Sequence, residues 1–198
     1  MRGFIITTPD YTLMAREAAS RVRNYGGLTE VSLYFVETKS DCHKEKLAKF
    51  LTYNEPVWLL DADWWMIREC LLPECKGSVI LGAPNNNSST LTGVDNSMAL
   101  CSCLISLDMG NEVCRNVVKL AIEKQEKAFP SGEVKADEKF LVEAALNCPQ
   151  MTAGRLSTNF NWCGDNPPAE VIAVHAAGRK DKHNWLLSNC SASPNNAV

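Results

Sequence analysis

VWLLDADWW, residues 57–65, joins an unbroken apolar run to a pair of carboxylates and then to two tryptophans. Val57, Trp58, Leu59 and Leu60 have the length and the unalternating apolarity of a strand buried on both faces of a sheet. Asp61 and Asp63 follow, with Ala62 between them. A carboxylate is seldom buried unless it is paired or holds a metal, because removing its water costs several kcal/mol. A strand-end turn with a helix cap is one account of the pair. It explains one aspartate better than two. At this spacing, both carboxylates can converge on a single ion as the chain leaves the strand.

The same pattern repeats on either side of this stretch. Residues 4–7 read as a first strand stopped by Pro9, and residues 11–23 as a helix with Leu13, Met14, Ala18 and Val22 at helical spacing. Gly26-Gly27 breaks that helix. VSLYFV (31–36) is a β-branched and aromatic strand, and residues 44–51 form a second helix. Downstream, strands are expected over 78–81, 98–106 and 170–174, and helices over 112–129 and 137–146. APNNNSSTLTG (83–93) is loop-like, and residues 188–198 have the composition of a frayed tail. Strands alternating with helices predict one α/β domain over residues 1–187 with a mostly parallel sheet.

Bulk properties narrow the partners. A chain of 198 residues suits one well-buried domain. The net charge of -3 comes with no basic stripe, so nucleic acid is not expected. Arg16, Arg21 and Arg23 fall on the first helix and read as a solvated face, and His43 and His183 also read as surface residues. MRGFIITTPDY enters a strand directly, without the apolar core of a signal peptide, and no run is long enough for a membrane span. The expectation is a cytoplasmic protein. Its nine cysteines include Cys101-Ser102-Cys103 but no CxxC pair, so reduced buried thiols are expected rather than disulfides or structural zinc. The sequons at Asn86, Asn87 and Asn189 then carry no glycan.

In open α/β sheets ligands bind outside the carboxyl ends of the strands. Thr7, Thr8 and Asp10 follow the first strand, Asp61 and Asp63 the third, and His175 the last. Two carboxylates and an imidazole suit Mn²⁺ or Mg²⁺ shared with phosphate oxygens. AAGRKDKHNW follows His175 and supplies Gly178, Arg179, Lys180 and Lys182. A metal with cations beside it is what a diphosphate leaving group needs, since negative charge gathers there as the bond breaks.

Together these residues resemble a GT-A type glycosyltransferase, closest to family eight, the glycogenin and bacterial galactosyltransferase group. That family carries an Asp-any-Asp motif at a strand end. FIITTPDY resembles its nucleoside-holding first strand, which implies nucleotide contacts for Thr7, Thr8, Asp10 and Tyr11. KEKLAKFLTYNEPVWLLDAD resembles the helix and strand before the motif, with Lys46 matching the family lysine and Ala62 lying within the donor-binding turn. DNSMALCSCLISLD resembles the Asn-Ser-Gly strand that touches the donor sugar, here Asn96 and Ser97. ADEKFLVEAALN resembles the helix opening with Asp-Gln beside the reacting sugar, here Asp137 and Glu138. LSTNFN resembles a loop ending in asparagine, here Asn161. VIAVHAAGRKDKHNW resembles the His-x-x-Gly-x-x-Lys-Pro-Trp ending and implies roles for His175, Gly178, Lys182 and Trp185.

The resemblance covers nearly the whole chain, in order, with departures. Met98 stands where the family has glycine, and Glu138 where it has glutamine. The ending has an extra residue before lysine and no proline, so Lys180 competes with Lys182. The chain is also shorter than most relatives. What the resemblance implies is a metal-dependent transfer, with retention, from a UDP-sugar to a glycan, protein or lipid acceptor. Trp64 and Trp65 read as packing residues rather than sugar platforms. Two other readings stand beside this one. A sugar-nucleotide nucleotidyltransferase shares the two-acid site, but TTPDYTLMAR lacks a glycine-rich phosphate loop. A catalytically inactive GT-A-like nucleotide-binding protein is the third.

Overall fold

The computed structural model describes residues 1–84, 100–134 and 138–191. Strand β1 (Arg2–Thr7) leads through a 3-10 turn (Pro9–Tyr11) into helix α1 (Thr12–Gly26), followed by β2 (Glu30–Phe35), α2 (Lys39–Phe50), β3 (Pro56–Leu60) and a short β4 (Trp64–Met66). Then come β5 (Val79–Pro84), β6 (Leu100–Asp108), α3 (Glu112–Ala128), α4 (Glu138–Leu146), β7 (Thr152–Arg155), β8 (Ala173–His175) and α5 (Lys182–Ser191). Six strands pair in the order β2-β1-β3-β6-β5-β7, while β4 and β8 form a separate two-stranded ribbon. β1 is parallel to β2 and β3, and β5 to β7; within this sheet of the described residues β6 runs against its neighbours. This is the mostly parallel α/β arrangement that the sequence predicts.

The apolar strands are buried on both faces because helices cover both. Ile5, Trp58 and Leu60 point into one core with Met14, Ala18 and Val22 of α1. Their neighbours Phe4, Ile6, Val57 and Leu59 point into the other, with Leu47 and Phe50 of α2. The alternation is the two-residue period of a strand. With α1 on one face and α2 on the other, the chain reverses its winding at β1. The carboxyl ends of β1 and β3 therefore flank a switch point, where open α/β sheets bind ligands.

Several boundaries differ from the sequence reading, each for a local reason. Helix α2 starts at Lys39 rather than at 44, because Thr38 and Asp41 close a reciprocal capping box at 3.1 Å in each direction. The strand expected over 170–174 contracts to Ala173–His175, since Val171 N–H is engaged in a turn to the Pro168 carbonyl. Helix α5 continues to Ser191, beyond the point where the tail composition begins. The expected strand over 98–106 begins, among the described residues, at Leu100. No helix of the described residues is long and apolar enough to cross a membrane.

Strand β4 was not expected, and it anchors the site. Trp64 and Trp65 are fully buried. The Trp64 indole donates to the Phe160 carbonyl at 2.7 Å, and that of Trp65 lies within 3.2 Å of the Met14 and Ala62 carbonyls. β4 pairs antiparallel with β8, setting Trp64 opposite His175. Replacing Trp64 by Phe keeps most of the apolar surface but leaves the Phe160 carbonyl without its donor. Urea denaturation is expected to show a loss of about 2 kcal/mol.

Candidate functional site: a carboxylate pair and a histidine

The three residues after β3 make a tight turn, because Trp64 N–H reaches back to the Asp61 carbonyl at 3.2 Å. Asp61 N–H is held by the Cys103 carbonyl of β6 at 3.0 Å, and the Asp63 carbonyl accepts from Ala176 N–H at 3.0 Å. The turn is thus pinned to the main sheet at one end and to the ribbon at the other. Both carboxylates line a cleft of about 870 Å³ at the carboxyl ends of β1 and β3. Asp63 is only 7% exposed.

Two lysines meet these acids. Lys46 of α2, itself buried, brings Nζ to 2.6 Å from Asp61 Oδ1. Lys182, the first residue of α5, bonds to Asp63 Oδ2. His175 Nε2 stands 3.5 Å from the other oxygen of Asp63. Burial alone would raise the Asp63 pKa, but the hydrogen bond and charge of His175 and the charge of Lys182 hold it below the usual carboxylate range. Burial alone would lower His175, yet hydrogen bonding, first of all to Asp63, holds it well above its ordinary value. Lys182 is likewise raised: Asp63 outweighs the desolvation.

Asn161 sets the imidazole. Its Nδ2 donates to the Pro84 carbonyl at 2.7 Å, which leaves Oδ1 facing His175 Nδ1 at 3.1 Å. Nδ1 therefore carries a proton toward Asn161, and Nε2 is the atom presented to the carboxylates. Histidines at metal sites are oriented by an outer hydrogen bond of this kind. One ligand atom each from Asp61, Asp63 and His175 lies within 4.8 Å of the others. Two hard oxygens and one imidazole nitrogen fit Mn²⁺ or Mg²⁺.

The other expected residues divide by position. Thr7, Thr8, Asp10, Tyr11, Lys46, Ala62 and Lys182 all line the cleft with Asp61, Asp63 and His175. Thr7 is buried, and the half-open Tyr11 ring lies 5.8 Å from Lys182 Nζ. Gly178 has φ of 72°, a left-handed conformation that suits glycine in the turn between β8 and α5. Lys180 is exposed and lines a separate pocket of about 500 Å³ with Asp165, Arg179 and Trp185. Of the two competing lysines, Lys182 lies in the cleft. Asn96, Ser97 and Asp137, with Met98, fall outside the described residues, and Glu138 opens α4.

Sequence reasoning missed Glu37, Lys39, Cys42, Ser102 and Lys139, which also line the cleft, and placed His43 at the surface although it is half-buried there. The legible signal was the Thr38-x-x-Asp41 box. It puts the first turns of α2, and so Lys39, Cys42 and His43, beside the strand ends.

The electrostatics give a test. Asp63 has a native pKa below its unfolded value of about 3.9, so its contribution is complete above that value and is lost as the pH falls below it. Between pH 5 and 3 an unfolded histidine is already protonated, so the raised His175 adds no slope there. Asp63→Asn is expected to destabilise the protein at pH 5, and the difference from wild type is expected to shrink by about 1 kcal/mol at pH 3, measured by denaturant titration.

No family model and no curated protein sequence matches the chain. Its fold is nevertheless shared with solved glycosyltransferases. One is a glycosyltransferase involved in the glycosylation of the major capsid of PBCV-1, with a TM-score of 0.60 and 12% identity over 95% of this chain and 98% of that one. Another is the apo-form glycosyltransferase GlyE of Streptococcus pneumoniae TIGR4, with a TM-score of 0.60 and 10% identity. That match covers 94% of this chain and 59% of GlyE. At this level of identity the likeness is one of fold, and it is a glycosyltransferase fold over nearly the full chain.

Proposed function

We propose that the chain is a metal-dependent GT-A glycosyltransferase that moves a sugar from a nucleotide-sugar donor, a UDP-sugar by the resemblance to family eight, to a glycan, protein or lipid acceptor. The observation that carries this reading is the convergence of Asp61, Asp63 and His175 in a cleft at the switch point of a glycosyltransferase fold. These three would hold Mn²⁺ or Mg²⁺, which when bound supplies positive charge against the diphosphate.

The chain's own residues do the rest. Asn161 keeps His175 Nε2 turned toward the carboxylates. Thr7, Thr8, Asp10 and Tyr11, at the end of β1, take the nucleoside, with the Tyr11 ring available for stacking on the base. Lys46 holds Asp61 in place and, with Ala62, borders the donor pocket. Lys182 neutralises the leaving group, its ammonium already directed at the Asp63 carboxylate. Lys180, which the resemblance offers as a second candidate for the diphosphate, lines the separate pocket with Arg179, and Gly178 supplies the turn between β8 and α5. Asn96, Ser97, Asp137 and Glu138 are assigned to the donor sugar and the reacting centre by the resemblance, as is retention of configuration. In such a transfer the acceptor oxygen bonds the anomeric carbon, the bond to the diphosphate breaks, and the acceptor proton leaves with the released phosphate.

Calorimetric titration with UDP tests the donor site. Wild type is expected to bind in Mn²⁺ and to lose binding in EDTA, and Asp63→Ala is expected to weaken it more than about 100-fold through loss of a ligand. Release of UDP from a UDP-sugar by wild type then separates an enzyme from an inactive binding domain. UDP binding that is indifferent to both EDTA and the substitution would overturn the metal-linked donor site.

A further inference from the structure

Beneath the carboxylates lies a second set of ligand atoms. Cys101 and Cys103 are two residues apart on β6, a spacing that turns alternate side chains to one side of a strand. The strand is irregular here: Gly82 pairs with Ile105, but the next residue, Ala83, pairs with Cys101. Ser102, Cys103 and Leu104 therefore form a bulge against β5, a device that re-aims side chains beside active sites. Beside it Ser102 lines the cleft while both thiols meet His175. One ligand atom each from Cys101, Cys103 and His175 lies within 4.8 Å of the others, and all three residues are buried. Cys163 Sγ stands near this set, 3.8 Å from the Asn161 oxygen that faces the imidazole.

We propose that Cys101, Cys103 and His175 form a site for a thiophilic divalent ion of the Zn²⁺ class, sharing its imidazole with the Asp61–Asp63 pair. The chemistry differs between the two sides of the ring. The carboxylates are hard oxygen donors and are already met by Lys46 and Lys182. Two thiolates with a neutral imidazole are the soft set that selects zinc, and together they cancel its charge. That neutrality matters in a buried place, where net charge is expensive. On binding, each thiol and the protonated imidazole give one proton to the buffer, and the two thiolate sulfurs and the freed imidazole nitrogen bond the ion. Nothing is oxidised.

Sharing has a consequence. With Nδ1 engaged by Asn161, Nε2 is the nitrogen left for either ion, so zinc held by the thiolates withdraws His175 from the carboxylate side. This competition rests on the donor-site reading proposed above, whereas the thiolate site stands without it.

The test uses the full, reduced chain and zinc alone. X-ray absorption at the zinc edge, with one equivalent of Zn²⁺, is expected to show a mixed shell with two sulfurs at about 2.3 Å and nitrogen nearer. Co²⁺ substituted for zinc is expected to give a sulfur-to-metal charge-transfer band. The double variant C101S/C103S is expected to lose that band and to bind zinc more than about 100-fold more weakly, while D63N keeps both. A first shell of oxygen and nitrogen alone in wild type would overturn the proposal, even if the double variant does not fold. So would a sulfur shell unchanged in C101S/C103S. If the thiolate site is found and UDP binding remains indifferent to Mn²⁺, the donor reading fails and this one does not.

Discussion

A carboxylate that is only 7% exposed governs this site, because Asp63 must be compensated wherever the chain places it. Its compensation comes from distant sequence: an imidazole at the end of β8 and an ammonium at the start of α5. Neither is brought there by the main sheet. The ribbon of β4 and β8 does it, setting Trp64 opposite His175 and tying Ala176 N–H to the Asp63 carbonyl. The two tryptophans beside the acidic turn are therefore its anchor. Their burial fixes β4, β4 fixes the register of β8, and the register delivers the histidine.

Charge pairing also explains why the cleft tolerates two acids side by side. Lys46–Asp61 and Lys182–Asp63 bring one cation to each carboxylate, from helices on different sides of the turn. A divalent ion held by the acids, as proposed above, would compete with these ammonium groups and with the proton of His175. The lysines would then be released toward whatever anion the ion brings with it. In the proposed donor site this arrangement would favour a metal that arrives with phosphate over one that arrives alone, since the displaced cations would need a new anion in a poorly solvated cleft.

β1 and β3 were legible because burial on both faces demands continuous apolar runs, and FIIT and VWLL have them, while the edge strand β2 was legible from the β-branched and aromatic residues of VSLYFV. The acidic turn and His175 were legible for the converse reason: charged groups at the ends of such runs lack a packing explanation. What escaped was structure made by pairing rather than by composition. β4 is three residues long, and Trp64-Trp65-Met66 reads as packing whether or not it is a strand. β7, TAGR, has neither a run nor an alternation, and takes its conformation from β5 beside it. α5 carries a polar sequence whose few buried contacts, Leu186 among them, are supplied by the core of α1 and β4. The spacing in CSC puts both thiols on one side of β6, but that this side faces His175 comes from pairing in the fold, which the sequence does not show.

That bulge joins the fold to the chemistry. β6 is the antiparallel member of the sheet, so its register against β5 and β3 is fixed separately on each side. Against β3 it stays regular through Leu60 and Leu104, and the Cys103 carbonyl then takes Asp61 N–H. Against β5 it slips at Gly82, where an added Cβ would lie 3.0 Å from the Leu104 carbonyl. A glycine there lets the two backbones approach closely while the strand bends. The bend allows one strand both to hold the acidic turn through its backbone and to bring two thiols up to the histidine. One strand thus serves both ligand sets, its regular pairing with β3 holding the acidic turn and its irregular stretch against β5 carrying the two thiols beside the same histidine.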